Sequence, residues 1–346
     1  MNASMNTHEW PFNTRIIASI APKLGLSFAE HSNGEGYLFS LTSSSGETFM
    51  GTGPIDSYPI NTSTSSAIAR DKFFSYLVAT QLNIPTIQTE LFFLSNRFSA
   101  ARAPGREMKD LLKTVKDRAF PIFAKPNKGS RGDFAEVIES HSEFKSYIKR
   151  VTSQYDQIIL QPYRPGSEVR LFMIDDACFF QYEKMPIKLK GDDTNTWNAL
   201  IDLHNRWLVS IGLSEIPTKA VSAQAEKQGL SFSATSKSNQ FLNLPGRRNI
   251  SAHSSHVRFT TDIDLSLKAS ARRLMTAIGL RVAAIDFILP GRERNANDPQ
   301  PLFLEINGNP SIDSLEKAGR SELAEVIWYT ILKKWSNAKS YEEIHP

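Results

Sequence analysis

Residues 302–313 read LFLEINGNPSID. An apolar strand pattern runs out into Asn307, Gly308, Asn309 and Pro310, residues that favour turns. Side chains alternate along a strand, so Glu305 and Asn307 share a face. Two readings fit the stretch by itself. One is a capped turn closing a strand. The other is a divalent-metal site, because magnesium takes oxygen donors, commonly one or two carboxylates together with substrate phosphates. The choice depends on what the rest of the chain brings to that strand end.

Working upstream, Asp286 lies in the apolar run AAIDFIL (283–289). A carboxylate there is costly unless it is paired or binds a metal. A polar loop, Gly291 to Gln300, separates this run from the opening stretch. If the two strands are adjacent, Asp286, Glu305 and Asn307 come together as a hard-oxygen set. The loop PGRRNIS (245–251) carries Arg247, Arg248 and Asn249. It is a solvated basic loop on its own, and a site for a transferring phosphoryl group if it lies beside those carboxylates. In FPIFAKPNKGSRGDF (120–134), Lys125 ends a strand and Gly129, Ser130 and Gly132 follow. Glycines let backbone N–H groups approach phosphates and a lysine adds a point charge, although a plain surface hairpin reads the same way. No GxxxxGK[ST] sequence occurs. In QPYRPGSEVR (161–170), Glu168 and Arg170 share a strand face. They suit ribose hydroxyls and a phosphate or carboxylate, or equally a cross-strand ion pair.

Composition sets bounds on these readings. The chain has 346 residues, 40% hydrophobic and 22% charged, which allows two or three domains with filled cores. Cys178 is the single cysteine, so neither a disulfide framework nor a cysteine-based zinc site is expected. The start, MNASMNTHEWPFNTR, lacks a signal-peptide layout, and no apolar run nears the roughly 20 residues of a membrane span. The expected setting is the cytoplasm, without membrane partners. A net charge of +4 is mild, and no nucleic-acid partner is expected.

The periodicities predict mixed α/β (α+β) structure with antiparallel sheets. SSAIARDKFFSYLVATQLNIP (65–85) reads as one helix, capped by Ser65 or Ser66 and ended by Pro85. SEVRLFMI and CFFQYEK read as a hairpin turning at Asp175–Asp176. Ser214 to Gln240 is polar and reads as a mobile excursion. A helix from about Asp262 to Ile278 should end on Gly279.

In order and spacing these segments resemble the ATP-grasp superfamily of carboxylate–amine ligases. ARDKFFSYLVATQLNIPT resembles the DK…GIP segment, FPIFAKP the FPxVxKP strand, ILQPYRPGSEVRLFMI the ExYxxGxExR hinge, and IDFIL…LFLEINGNPSID the D…ExNxxPG ending. The likeness covers about Ser65 to Asp313. EKMPIKLKGDDTNTWNALIDLHN and LPGRRNIS are similar to segments of the ATP-grasp half of cyanophycin synthetase and of bifunctional glutathione synthetase. No counterpart of those enzymes' partner domains is read in this sequence, and a stand-alone relative is expected. It departs from the pattern at Gln161, where a glutamate is usual, and at Ser311, where glycine is usual.

The resemblance implies an ATP-grasp fold, two antiparallel-sheet subdomains clamping ATP beside a small N-terminal domain. The expected division is 1–64, a link at 65–108, a lid at 109–160, and a metal-bearing unit at 161–346. Lys72, Lys125, Gly129, Ser130 and Gly132 are expected at the phosphates. Gln161, Pro162 and Tyr163 are expected at adenine, and Glu168 at ribose. Asp286, Glu305 and Asn307 would ligate one or two Mg2+ ions, with Mn2+ as a substitute. Arg248, Asn249 and Arg170 would face the transferring group, with Arg247 beside them. The implied reaction joins an amino-acid or peptide carboxylate to an amine through an acyl phosphate, releasing ADP and phosphate. The alternatives are an ATP-grasp-type small-molecule kinase and a non-catalytic nucleotide-binding module. A homodimer is compatible with this reading.

Overall fold

The computed structural model describes residues 10–54, 57–129, 132–186, 188–210, 215–216, 218–244, 255–260, 264–289 and 300–342. The N-terminal unit comprises helix α1 (Phe12–Ile20) and the antiparallel strands β1 (Ser27–Glu30), β2 (Leu38–Thr42) and β3 (Thr48–Thr52). Helices α2 (Ser63–Arg70) and α3 (Lys72–Gln81) follow. A four-stranded sheet, in the order β4-β7-β5-β6, is built from β4 (Glu90–Phe93), β5 (Ile122–Pro126), β6 (Glu136–Ile138) and β7 (Gln157–Pro162). It carries α4 (Met108–Lys116) and α5 (His141–Val151), so its first strand comes from the segment read as a link.

A five-stranded sheet follows, ordered β12-β9-β8-β13-β14. Its strands are β8 (Ser167–Ile174), β9 (Ala177–Pro186), β12 (Ser255–Thr260), β13 (Val282–Leu289) and β14 (Leu302–Asn307). Between β9 and β12 lie β10 (Lys188–Lys190), α6 (Trp197–Ser210), α7 (Thr218–Lys227) and β11 (Phe241–Asn243). The helices α8 (Leu265–Ile278), α9 (Asp313–Lys317) and α10 (Ser321–Glu342) complete the described chain. Every pairing between named strands is antiparallel, as the alternating patterns predict.

The five-stranded sheet is buried on both faces. One face packs Val169, Leu171, Ala283, Ile285 and Phe287 against α8. The other packs Phe172, Phe180 and Val282 against α1 and α10, and its charged end is left open to the four-stranded sheet. Asn61 fixes that geometry from outside the sheet. Its amide donates to the carbonyls of Gly308 (2.7 Å) and Val282 (2.8 Å), while its oxygen accepts from Arg281 and Val282. The turn after β14 is thereby tied to the strand beside it. The residues of 302–313 also form the expected turn, with the Asn307 oxygen accepting from the Asn309 N–H at 2.9 Å.

Three expectations about elements need correction. The helix read across 65–85 is two helices. Asp71 adopts an extended backbone, and its carboxylate accepts from the Phe74 N–H at 3.0 Å, capping α3. A side chain that suits an N-cap better than a helix interior breaks the run there. The cap of α2 is Thr62, not Ser65 or Ser66. Finally, Ser214–Gln240 is not a bare excursion. Val221 and Ala225 of α7 pack with Trp197, Ile201, Leu242 and Leu244 into a separate small core. Polar composition had hidden this, because the apolar partners come from flanking segments. Trp197 is fully buried there. Trp197→Ala should cost about 3–5 kcal/mol within that unit, read as lost hydrogen-exchange protection over α6 and α7. The Asp175–Asp176 hairpin and the Gly279 cap (φ +81°) form as expected, although the helix before Gly279 starts at Leu265 behind an Asp264 cap.

Candidate active site

Register places the site. A single cross-strand row runs over four strands, with Tyr182 opposite Arg170, Arg170 opposite Asp286, and Asp286 opposite Glu305. The adjacent row sets Lys184 opposite Glu168. Alternation puts all six side chains on one sheet face. Both rows depend on bulges. One extra residue in β9 shifts the register between Phe172 and Met173, and one in β14 shifts it between Asp286 and Phe287. Such insertions re-aim side chains.

The contacts follow from this placement. The Arg170 guanidinium forks onto Asp286, Nε to Oδ1 and Nη2 to Oδ2, both at 2.6 Å. The Lys184 ammonium donates to Glu168 and, at 3.2 Å, to Asp286 Oδ2. Asp286 is fully buried, so this double pairing is what makes its charge tolerable. Across the gap, Lys125 of the four-stranded sheet reaches Glu305 Oε2 at 3.4 Å. The two sheets therefore meet through charged groups.

Lys72 opens α3 and its ammonium donates to the Gly129 carbonyl at 2.6 Å. Asn127 holds the root of the glycine loop in place. Its side-chain oxygen accepts from the Phe73 N–H (2.9 Å), its carbonyl from Lys72 N–H (3.3 Å), and its amide donates to Gln157 (2.9 Å). The start of α3 and the loop are thus one unit, with the positive end of a helix beside it. Gly129 is required sterically, since a Cβ there would lie 2.9 Å from Pro126 Cβ. Gly132 takes φ +68°.

Gln161 is buried. Its amide donates to Thr89 Oγ1 at 2.8 Å, and its Oε1 has no hydrogen-bond partner. Pro162 ends that strand and Tyr163 follows it, both half-buried. Ser130, Arg247, Arg248 and Asn249 lie outside the described residues. The structure therefore brings together Lys72, Lys125, Gly129, Glu168, Arg170, Asp286 and Glu305. Asn307 follows Glu305 on the same face and is exposed.

Electrostatics set the protonation states. Burial pulls the Glu305 carboxyl up, but Lys125, Lys72, Lys184 and Arg170 outweigh it and hold Glu305 well below the usual carboxylate range. Burial pushes Glu168 up, and Lys184 offsets this only in part. Burial and neighbouring Arg170 both disfavour the Lys184 ammonium, yet Asp286 and Glu168 raise it above the ordinary lysine value. Lys72 is lowered by burial, with Glu305 acting against the shift. Lys72, Lys125, Lys184 and Arg170 thus face Glu168, Asp286 and Glu305 in one cluster.

The donors suit a hard divalent cation. Among the described residues no group of three His, Cys, Asp or Glu could hold a metal. Asp286, Glu305 and the Asn307 amide offer instead two carboxylates and a neutral oxygen. That is the sparse protein set magnesium uses when phosphates complete its shell. Both Asp286 oxygens are held by short bonds to cations, whereas the Glu305 oxygens meet Lys125 and Arg170 only at 3.4 and 3.9 Å, so Glu305 is the freer carboxylate.

Three participants escaped the sequence reading: Lys184, Tyr182 and Asn127. Phe180, Tyr182 and Lys184 do alternate in FFQYEK, which was a usable signal for one face. Counting from the turn would still have set Glu168 opposite Glu183, because the bulge is invisible in the sequence.

No family model matches the chain. Over 203 residues it is 24% identical to the glutathione biosynthesis bifunctional protein GshAB of Streptococcus mutans, spanning 56% of this chain and 27% of that protein. It is 26% identical over 204 residues to the cyanophycin synthetase of Crocosphaera subtropica, 55% of this chain and 23% of that one. The chain thus spans about a quarter of the length of these curated relatives. The crystal structure of a bifunctional glutathione synthetase from Pasteurella multocida matches with a TM-score of 0.51 and 17% identity, over 88% of this chain and 40% of that one. The fold is the ATP-grasp fold, and in sequence the chain is similar to parts of GshAB and of cyanophycin synthetase.

Proposed function

We propose that this chain is an ATP-dependent, ADP-forming ligase that joins an amino-acid or peptide carboxylate to an amine. The observation that carries the reading is the cross-sheet cluster, in which the Arg170–Asp286–Glu305 row faces Lys125 across 3.4 Å. Among the described residues, cations and hard-oxygen ligands converge there without a thiol or a histidine. Such a cluster suits phosphoryl transfer, where positioning and charge stabilisation dominate.

Lys72, Lys125 and the Gly129–Gly132 backbone hold the phosphates. Glu168 accepts ribose hydroxyls. The strand of Gln161, Pro162 and Tyr163 takes the adenine, and the free Gln161 oxygen is an acceptor for its amino group. Asp286, Glu305 and Asn307 would hold Mg2+, or Mn2+ in its place, which neutralises charge on the terminal phosphates. Arg170, Arg248 and Asn249 meet the group being transferred. A substrate carboxylate oxygen attacks the γ-phosphorus and ADP leaves. The amine then attacks the acyl phosphate carbon and phosphate leaves. The two closed sheets exclude water from that intermediate. The expected setting is the cytoplasm, and a homodimer is compatible with the fold.

A screen of amino-acid and peptide pairs for phosphate release with ATP and magnesium tests the reading. Activity should require both a carboxylate and an amine, with ADP as the nucleotide product. AMP with pyrophosphate would sink the mechanism, and a stable phosphorylated product formed without an amine would favour a kinase. Lys125→Ala should weaken ATP binding by about ten- to a hundredfold while the fold persists, since one charge-assisted contact contributes roughly 1.5–3 kcal/mol. Unchanged affinity by calorimetry would remove Lys125 from the phosphate site.

A further inference from the structure

The chain's formal net charge is +4. Residues 95–116, SNRFSAARAPGREMKDLLKTVK, hold six basic side chains against two acidic ones. The entire excess therefore sits in this segment, and the rest of the chain is balanced. The segment comprises the loop after β4 and helix α4, on the four-stranded sheet. Its two acids are used by the fold. Glu107 and Asp110 form the capping box of α4, and Glu107 also pairs with Arg102 at 3.2 Å.

The three lysines of the segment lie on one face of α4. Lys109, Leu112, Lys113 and Lys116 fall at the i, i+3, i+4, i+7 spacing of a single helix stripe. The opposite face buries Leu111 and Val115 in the core of the sheet, so the stripe points to solvent. Among the described residues the three lysines make no ion pair or hydrogen bond. Leu112 stands in the middle of them, 50% exposed.

The loop adds a second, independent observation. Phe98 is 71% exposed and adopts φ +61°, the left-handed region that an aromatic residue enters only at a cost. Its carbonyl accepts from the Ala101 N–H at 3.1 Å, while most of the ring stands in solvent. Arg102 folds the loop back onto α4. It lies 4.0 Å from the Phe93 ring centroid and donates to the Ser95 carbonyl (2.8 Å), the Arg97 carbonyl and the Glu107 carboxylate. The backbone of Arg97, the residue before Phe98, is thereby tied through Arg102 to Glu107, the N-cap of α4.

We propose that this outer face of the four-stranded sheet is a docking surface for an acidic polypeptide segment bearing apolar side chains. Charge complementarity selects an anion, and the alternation of lysines with Leu112 selects its kind. Carboxylates four residues apart on a partner meet the lysines, and an intervening apolar side chain covers Leu112 and Phe98. A nucleic acid fits less well. The loop arginines are engaged internally, with Arg102 in the clamp and Arg106 on the Phe73 ring at 4.9 Å. One face of the Phe98 ring carries Arg97 at 4.9 Å, which leaves a poor stacking platform. The surface lies outside the charged cluster between the sheets and does not rest on the ligase reading.

Fluorescence anisotropy of the full chain with a fluorescein-labelled peptide of Glu-Glu-Leu repeats tests the idea. The peptide should bind, and binding should weaken as salt rises. The triple replacement K109E/K113E/K116E should weaken it about tenfold or more, and Phe98→Ser should weaken it without changing the salt dependence. Circular dichroism reports whether each variant is folded. If the triple variant is not, Lys113→Glu against Lys113→Gln gives the same comparison. Equal binding by a folded charge-reversed variant would overturn the proposal. So would equal binding of a peptide with glutamine in place of glutamate, or displacement of the peptide by polyuridine RNA at lower concentration.

Discussion

Glu305→Ala is expected to abolish trapping of the activated carboxylate. Hydroxylamine supplied in place of the amine should convert the acyl phosphate of the native chain into a hydroxamate, and the variant should form at least about a hundredfold less. Glu305 is the carboxylate that the opposite sheet's Lys125 reaches, and it is freer than Asp286 to bind a metal. Without it the charge on the terminal phosphate is uncompensated. The fold should survive, because the side chain is partly exposed (28%). A smaller pH effect accompanies this. The Glu305 pKa in the folded chain lies below its ordinary value of 4.5. Its ionised form therefore stabilises the folded state above that value, and the contribution is lost as pH falls below it. Glu305→Gln should flatten the acid limb of stability against pH. Full hydroxamate formation by Glu305→Ala would exclude it as a ligand.

The second large effect is on stability. Arg170→Ala removes both short bonds from a fully buried carboxylate. An uncompensated buried charge costs about 3–5 kcal/mol. Lys184, at 3.2 Å from the same carboxylate, keeps the loss toward the lower end. Urea unfolding should show a lower midpoint with an unchanged slope. The pair Arg170→Leu with Asp286→Asn should recover much of the loss, since removing both charges leaves neither unpaired. If Arg170→Ala alone left the midpoint unchanged, Lys184 by itself would satisfy Asp286.

The sequence by itself determined a good part of this protein. The apolar runs around Asp286 and Glu305 read as two strands carrying oxygen donors, and those strands do pair with the two carboxylates directly opposite. The Glu168–Arg170 spacing required one face, and the Gly279 cap and the Asp175–Asp176 turn were readable because local backbone conformation decides them.

Tertiary structure decided the rest. A bulge adds one residue to β9, and because side chains alternate with period two, that residue turns Lys184 rather than Glu183 toward Glu168. Counting along the sequence cannot locate such an insertion. Asn127 reads as an ordinary loop residue until packing sets it against the first turn of α3. The small core around Trp197 and Val221 draws its apolar residues from the segments on either side of the polar stretch, so no short window contains it. Local pattern fixed which residues could face one another. Register shifts and long-range burial, which depend on the whole assembled sheet, fixed which of them did.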